Sequence, residues 1–290
     1  MSSSSRIALV TGATGGIGRA TALALARAGW RVFATGRRTE ALLALKAETG
    51  GTSVEVLALD VTDGASIRAA HAAVREATGG HGVDLLVNNA GYGQVGPVVG
   101  VPVEHVRRQY ETNVFGLLEV TRVFTREMLA RGAGRVVNLS SLGGRMTFPF
   151  LGVYTSTKYA VESLSDALRM ELGPLGIQVV VIEPGYIRTQ FAATSHGTLG
   201  VGLRGTPWAS LADRYGALLA RFDATGSPPE VVAQAIVQAA GARRPRARYV
   251  APWWAGTGLL LGWLPTFFAD LVVRLALGVP RQPAPAPVPA

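Results

Sequence analysis

Apolar residues along the chain fall into short unbroken runs, each closed by a turn-forming stretch and followed by helically spaced apolar positions. The runs cover Arg6–Val10, Arg31–Thr35, Val54–Leu59, Val83–Val87, Arg135–Leu139, Ile177–Ile182 and, shorter, Arg248–Val250. The helical patterns extend from the glycine-rich turn at Thr11–Gly18 to about Ala28, from Asp63 to about Ala77, twice between Pro102 and Arg135, from about Tyr154 to Leu172, and from Pro229 to Ala240. Runs that are apolar throughout, rather than alternating, belong to strands covered on both faces. Strand and helix in strict succession predict one α/β domain, a doubly wound parallel sheet of about seven strands with helices on both faces. Residues 186–227 carry no strong period and are expected to form an irregular substrate lid. This partitions the chain into a domain over 1–250, an apolar extension over 251–279 and a Pro/Ala tail, expected to be disordered, over 280–290.

In such a sheet ligands bind beyond the carboxyl ends of the strands, and there the unusual residues fall. The first strand runs into Thr11-Gly12-Ala13-Thr14-Gly15-Gly16-Ile17-Gly18, which opens a helix. Glycines there let the backbone approach a pyrophosphate, and free N–H groups at the helix start attract its charge. The second strand ends at Gly36-Arg37-Arg38, where dinucleotide folds that bind an unphosphorylated ribose place an acid. Two arginines and no acid favour NADP(H) over NAD(H). Asp60 and Val61 close the third strand, where an adenine edge could rest, and Asn88-Asn89-Ala90-Gly91 closes the fourth.

The fifth strand delivers Ser141, and Tyr154 and Lys158 begin the helix after it. Four residues apart, they share one helix face. An ammonium beside a phenol favours the phenolate, so Lys158 is expected to lower the Tyr154 pKa and fit it for proton exchange with an alcohol oxygen. Ser141 could donate a hydrogen bond to the same oxygen. Tyr92, Val95, Leu142, Met146, Phe148, Phe150, Tyr186 and Phe191 flank this point and suit a hydrophobic ketone, aldehyde or alcohol. His196, in the lid, is a further residue that could reach substrate.

Composition narrows the reading. Of 28 basic residues only Lys46 and Lys158 are lysine, so a lysine four residues after Tyr154 suggests a position needing a compact charge. With no cysteine, thiol chemistry, disulfides and cysteine-held metals are excluded, and no metal is expected. The net charge of +9 comes from scattered arginines, with one cluster at Arg243–Arg248 and no nucleic-acid motif, so no nucleic-acid partner is expected. The N-terminus shows no signal-peptide pattern, and a cytoplasmic location is expected. Residues 250–269 are uncharged and rich in tryptophan and phenylalanine. They fit, in descending order, a subunit interface or pocket wall, a peripheral membrane contact, and a spanning helix interrupted by Pro252 and Pro265.

Taken together, Thr11–Gly18, Asn88–Gly91, Asn113 within Glu-Thr-Asn-Val-Phe-Gly, Ser141, Tyr154-x-x-x-Lys158 and Pro184-Gly185 resemble the short-chain dehydrogenase/reductase family in its NADP-using form. Asn-Asn-Ala-Gly-Tyr-Gly and Glu-Pro-Gly-Tyr-Ile-Arg-Thr look like its hydroxysteroid and retinol dehydrogenase branch. The resemblance covers roughly residues 6–191. It implies a Rossmann-like fold, a catalytic set of Asn113, Ser141, Tyr154 and Lys158, a water held by Asn113, and Ile187 and Thr189 over the nicotinamide. It also implies a homodimer or homotetramer. The rival readings are a regulatory protein that binds NADP without chemistry, and a membrane-associated dehydrogenase that docks through its C-terminal segment.

Overall fold

The computed structural model describes residues 5–50, 53–189, 206 and 208–276. Seven strands form one sheet in the order β3-β2-β1-β4-β5-β6-β7, all parallel: β1 Ile7–Val10, β2 Arg31–Gly36, β3 Val54–Ala58, β4 Leu85–Asn88, β5 Gly134–Leu139, β6 Ile177–Pro184 and β7 Arg248–Ala251. Order reverses beside β1, which lies between β2 and β4. That is the switch point where an open parallel sheet offers a crevice.

Alternation within β1 shows why these strands are apolar throughout. Ala8 and Val10 pack on one face with Ala22 and Leu25 of α1 (Gly16–Arg27), while Ile7 and Leu9 pack on the other with Ile67 and Val74 of α3 (Gly64–Ala77). Both faces are dry, so no position along the strand favours a polar side chain. The remaining helices of the main domain are α2 (Thr39–Glu48), α4 (Val103–Tyr110), α5 (Leu117–Phe124), α6 (Arg126–Arg131) and α7 (Gly152–Leu172).

Register levels the strand ends. Val10 pairs with Val87, Asn88 with Asn138, and Leu139 with Ile182. The turns carrying Gly12, Asn89 and Ser141 therefore leave the sheet side by side, although they are up to 129 positions apart in the chain (141 − 12).

Two regions depart from the sequence reading. The segment expected to be irregular contains a helix, α8 (Ala209–Thr225), before α9 (Pro229–Gly241). Its buried Ala212, Tyr215 and Leu219 keep helical spacing with Trp208, and Tyr215 stacks on Phe150 at 5.4 Å between ring centroids. Polar residues between these positions mask the period, and tertiary contact with Phe150 decides the structure. Beyond β7, the extension folds as a 3₁₀ segment, Trp253–Trp263, and α10, Thr266–Ala276. Among the described residues no helix is long and apolar enough to cross a membrane. The tail over 280–290 lies outside the described residues.

Candidate active site

The glycine turn is stitched to the end of β4. Thr11 donates its hydroxyl to the Val87 carbonyl (3.3 Å) and accepts from the backbone N–H groups of Asn89 and Ala90, each at 3.0 Å. Asn89 donates through Nδ2 to the carbonyls of Thr11 (2.8 Å) and Gly12 (3.2 Å). A Cβ on Gly18 would stand 2.4 Å from the Gly12 oxygen, and Gly12 itself has φ +67°, so neither position admits another residue without displacing backbone. Gly15 caps α1 with no side chain, and the first turn of α1 holds no acid. The N–H groups at that end thus keep their capacity for an anion, which fits the pyrophosphate of a dinucleotide. Gly16 meets Thr189, whose Cβ is 3.2 Å from the point a Gly16 Cβ would occupy, and Ile17 packs against the α1 side of the core.

Arg38 donates to both the carbonyl and the hydroxyl of Thr14, at 3.1 Å each, which ties the end of β2 to the glycine turn. Arg37 points outward, its side chain 76% exposed, and stands 3.8 Å from Asp60. Burial works against ionisation of Asp60, but hydrogen bonds from the Thr62 N–H and hydroxyl, with the Arg37 charge, hold its carboxyl below the ordinary value. Val61 is buried in the core beneath.

Asn88 and Asn113 work from below. The Asn88 side chain turns into the sheet, donating to Thr121 (2.8 Å) and Asn138 (2.9 Å), and Asn138 donates in turn to Ser165 (2.9 Å). Asn113 sits on a π-helical turn, Glu111–Gly116, between α4 and α5. It clamps the loop after Gly91: its Oδ1 accepts from the Tyr92 N–H (3.1 Å), and its Nδ2 donates to the Tyr92 carbonyl (2.9 Å) and to Thr157 (3.1 Å). A Cβ on Gly91 would lie 3.0 Å from the Asn113 Oδ1 and 3.9 Å from the Lys158 Nζ, so only a bare backbone separates those two side chains. The single π turn inside a helix is a feature often found at functional sites.

Ser141 begins a 3₁₀ turn, accepting from the Gly143 N–H (3.0 Å). It also hydrogen-bonds Tyr154, which draws the tyrosine pKa down, yet burial outweighs this and pushes Tyr154 up to about 12. The expectation that Lys158 lowers the Tyr154 pKa is therefore corrected for this arrangement. Lys158 Nζ lies 5.9 Å from the Tyr154 ring centroid and donates to the Leu139 carbonyl (2.7 Å). Burial also pulls Lys158 down to about 8, against the opposing charge of Glu162. At neutral pH the pair is thus a protonated phenol beside an ammonium, an arrangement able to donate a proton.

The apolar side of the site is built from distant segments. Val95 and Phe150 are buried against Ala212, Tyr215 and Leu219 of α8, with Tyr186 and Trp208 packed on them. Phe150 adopts φ +65°, a conformation rarely taken by a side chain of its size. Burial raises the Tyr92 pKa, opposed by Arg108 and Arg37. Leu142 approaches Gly185, as does Ala255 from the C-terminal segment, and Met146 lies beside Gly258. Pro184 ends β6 and is buried, Phe148 is half-buried at the turn before α7, and Ile187 bridges to Ser227. Phe191 and His196 lie outside the described residues. Sequence reasoning placed Thr11 and Asn89 in their motifs without the partners that join them across strands, and it missed Thr157 and α8, whose period Trp208, Ala212, Tyr215, Leu219 was present to be read.

A parallel sheet with a glycine turn at its switch point, facing a buried tyrosine and lysine, defines a nucleotide-binding α/β protein. The chain belongs to the short chain dehydrogenase family, whose profile matches residues 6–199. It is 35% identical over 249 residues to the NADPH-dependent 3-dehydrocapnine reductase of Ornithobacterium rhinotracheale, covering 84% of this chain and 87% of that protein. Its fold superposes on a short-chain dehydrogenase from Streptomyces avermitilis with a TM-score of 0.74 and 33% identity, covering 97% of this chain and 100% of the other. It also superposes on the closed form of serine dehydrogenase complexed with NADP+, with a TM-score of 0.72 and 30% identity over 84% of this chain and 93% of that one.

Proposed function

We propose that the chain is an NADP(H)-dependent oxidoreductase that interconverts a hydrophobic ketone or aldehyde and its alcohol. The observation that carries this reading is the burial of Tyr154 and Lys158 together at the carboxyl edge of the sheet, with Ser141 bonded to the tyrosine. Burying an ammonium and a phenol in one spot costs stability, which favours a chemical use for them over packing alone. A regulatory protein without chemistry has no use for that arrangement.

The glycine turn, with Gly12, Gly16 and Gly18, would hold the pyrophosphate, and Arg37 and Arg38 the 2′-phosphate. Asp60 and Val61 would border the adenine, and Ala90, Gly91, Pro184, Gly185, Ile187 and Thr189 would line the path to the nicotinamide. Bound there, the nicotinamide supplies or accepts the hydride. The NADPH-dependent and NADP+-bound relatives support the choice of NADP(H). In the reducing direction Tyr154 gives its proton to the carbonyl oxygen as charge develops on it. Ser141 holds that oxygen, and the Lys158 charge favours the phenolate left behind. Oxidation uses the same groups in reverse, with Tyr154 as base. Asn113 keeps Tyr92 and the loop after β4 in place, and we assign it the water that returns a proton to Lys158.

Val95, Leu142, Met146, Phe148, Phe150 and Tyr186 favour an apolar substrate. Two surfaces bear on assembly. The groove between α5 and α7, lined by Phe115, Leu118, Leu168 and Leu172, suits a homo-oligomer. The exposed aromatics of the C-terminal segment favour peripheral contact with a lipid surface, as a membrane-associated hydroxysteroid or retinol dehydrogenase would make. Oxidation of NADPH, with NADH in parallel, across steroids, retinal, aryl ketones and small β-keto esters tests the assignment. Turnover with NADPH preferred is expected. Tight NADPH binding with no turnover on any carbonyl or alcohol would reinstate the regulatory reading.

A further inference from the structure

Along α7, four titratable side chains recur at intervals of four: Tyr154, Lys158, Glu162 and Asp166. That spacing keeps them on one face, so they form a file from the sheet edge towards solvent. The first two belong to the proposed chemistry, and Glu162 has no part in it. Glu162 is only 6% exposed. One of its carboxylate oxygens accepts from the Arg248 Nε (3.0 Å), while the other, Oε1, is buried with no hydrogen-bond partner. Such an acceptor is costly to leave without compensation.

The Arg248 guanidinium beside Glu162 is divided among three carboxylates. From β6, Glu183, 1% exposed, shares the same Arg248 Nε at 3.4 Å and accepts from Arg145 (3.1 Å), which reaches in from the turn after β5. Burial first, then the Glu162 charge, raise the Glu183 pKa against the pull of Arg145 and Arg248. From β7, Arg248 also binds Asp166 (2.7 Å), which Arg169 meets at the surface (3.3 Å). From the other side of α7 the contacts are uncharged, Tyr110 with Ser156 and Asn113 with Thr157. Ser140 adds a second orphan. Its buried hydroxyl has no partner and lies 2.6 Å from the point a Gly144 Cβ would occupy, with Glu162 Cγ at 2.9 Å and the Lys158 carbonyl at 3.0 Å from it. Arg248 is thus divided among Glu162, Glu183 and Asp166, of which Glu183 also has Arg145 and Asp166 also has Arg169, and the Lys158 ammonium stands one turn of α7 from Glu162.

We propose that Glu162 is a positioning residue which, with Glu183 and Arg248 behind it, holds Lys158 in its ammonium form and so sets the pH range over which the tyrosine–lysine pair operates. The functional half of this inference rests on the reading of Tyr154 and Lys158 given above, while the electrostatic half does not. The sign follows from charge. Removing the Glu162 negative charge disfavours the ammonium, so Lys158 gives up its proton at lower pH.

The composition supplies a clean readout, because Lys46 and Lys158 are the only lysines. With carbon-13 lysine in the cofactor-free protein, the two side-chain methylene signals can be titrated by NMR. The Lys158 midpoint is expected near 8 in the parent. In Glu162→Gln it should fall by on the order of one pH unit, while Lys46 stays in place as internal control. Glu162→Asp keeps the charge and should restore most of the difference. If the glutamine variant fails to fold, Glu162→Ala, which also removes the charge, takes its place with the same fall expected. An unchanged Lys158 midpoint in the charge-removing variant overturns the proposal. The reductase reading fails separately: full turnover in Tyr154→Phe would remove it and leave the lysine titration as it is. If both hold, the alkaline fall of kcat moves to lower pH in Glu162→Gln, so kcat drops about five- to tenfold near pH 8 and less than twofold near pH 6. A loss uniform across pH would mark a merely structural role.

Discussion

The active-site face and the C-terminal segment break the usual rule of apolar inside and polar outside in opposite directions. At the first, Lys158, Glu162 and Glu183 are buried along with Asn88, Asn113 and Ser140. At the second, Trp253 is 80% exposed, Trp263 87% and Leu275 73%, on a segment whose inner side touches the active-site loops through Ala255 and Gly258. Both departures cost stability in the isolated chain. The first is compensated in part: Lys158 donates to the Leu139 carbonyl, Asn88 and Asn113 donate to neighbouring groups, and Glu162 and Glu183 share Arg248, while Ser140 Oγ, Glu162 Oε1 and Asn88 Oδ1 are left without a hydrogen bond. The second has no such compensation within the described residues. A buried polar cluster partnered mainly within itself points to chemistry, whereas an apolar surface left open points to contact with something else.

The comparison can be broken at several points. Tyr154→Phe should lower kcat by about three orders of magnitude, with NADPH affinity changed less than about threefold, because only the transferred proton is removed. Normal turnover in that variant would show that the buried cluster does not serve proton transfer. Next in size, Asn138→Ala removes the acceptor for Asn88 and the donor to Ser165. It should cost about 2–4 kcal/mol in urea unfolding, since it strands buried partners. A loss under 1 kcal/mol would mean that water replaces the side chain.

Replacing Arg37 and Arg38 together with serine should raise KM for NADPH roughly ten- to fiftyfold and leave that for NADH nearly unchanged. Parallel loss with both cofactors would indicate a damaged glycine turn, because Arg38 is bonded to Thr14.

Lys158 also predicts a pH effect on folding. Its folded pKa of about 8 lies below the ordinary lysine value of 10.5, so between those values the unfolded chain binds more protons and stability rises with pH. Tyr154, held at about 12 against an ordinary tyrosine value of 10.0, acts in the opposite sense above pH 10. Urea midpoints at pH 7.5 and 9.5 should therefore rise in the parent by more than in Lys158→Met, which lacks the lysine contribution. The smallest effect sharpens the other half of the comparison. Trp263→Ser with Phe267→Ser should leave kcat within about twofold while reducing sedimentation with anionic phospholipid vesicles severalfold. Equal sedimentation would point to a second copy of the chain as the occupant of that surface.

Local signals carried most of the fold. Unbroken apolar runs meant a sheet covered on both sides, and they located all seven strands to within a residue or two, because strand length and burial are written in consecutive positions. The glycine turn, Arg37–Arg38 and the Tyr154–Lys158 pair were equally legible, since each depends on neighbours in the chain or on helical spacing. What the sequence could not state was the balance of long-range electrostatics. The Tyr154 phenol is governed first by how deeply the fold buries it, which outweighs the lysine four residues on, and that depth is set by segments far away in the chain. The same holds for Asn88, drawn into the sheet by Asn138 and Thr121, and for α8, fixed by stacking on Phe150. Sequence determined where the chemistry-bearing residues would meet, because strand register brings the turns to one edge. Only the tertiary structure decided which of them are buried, and burial is what sets their charge.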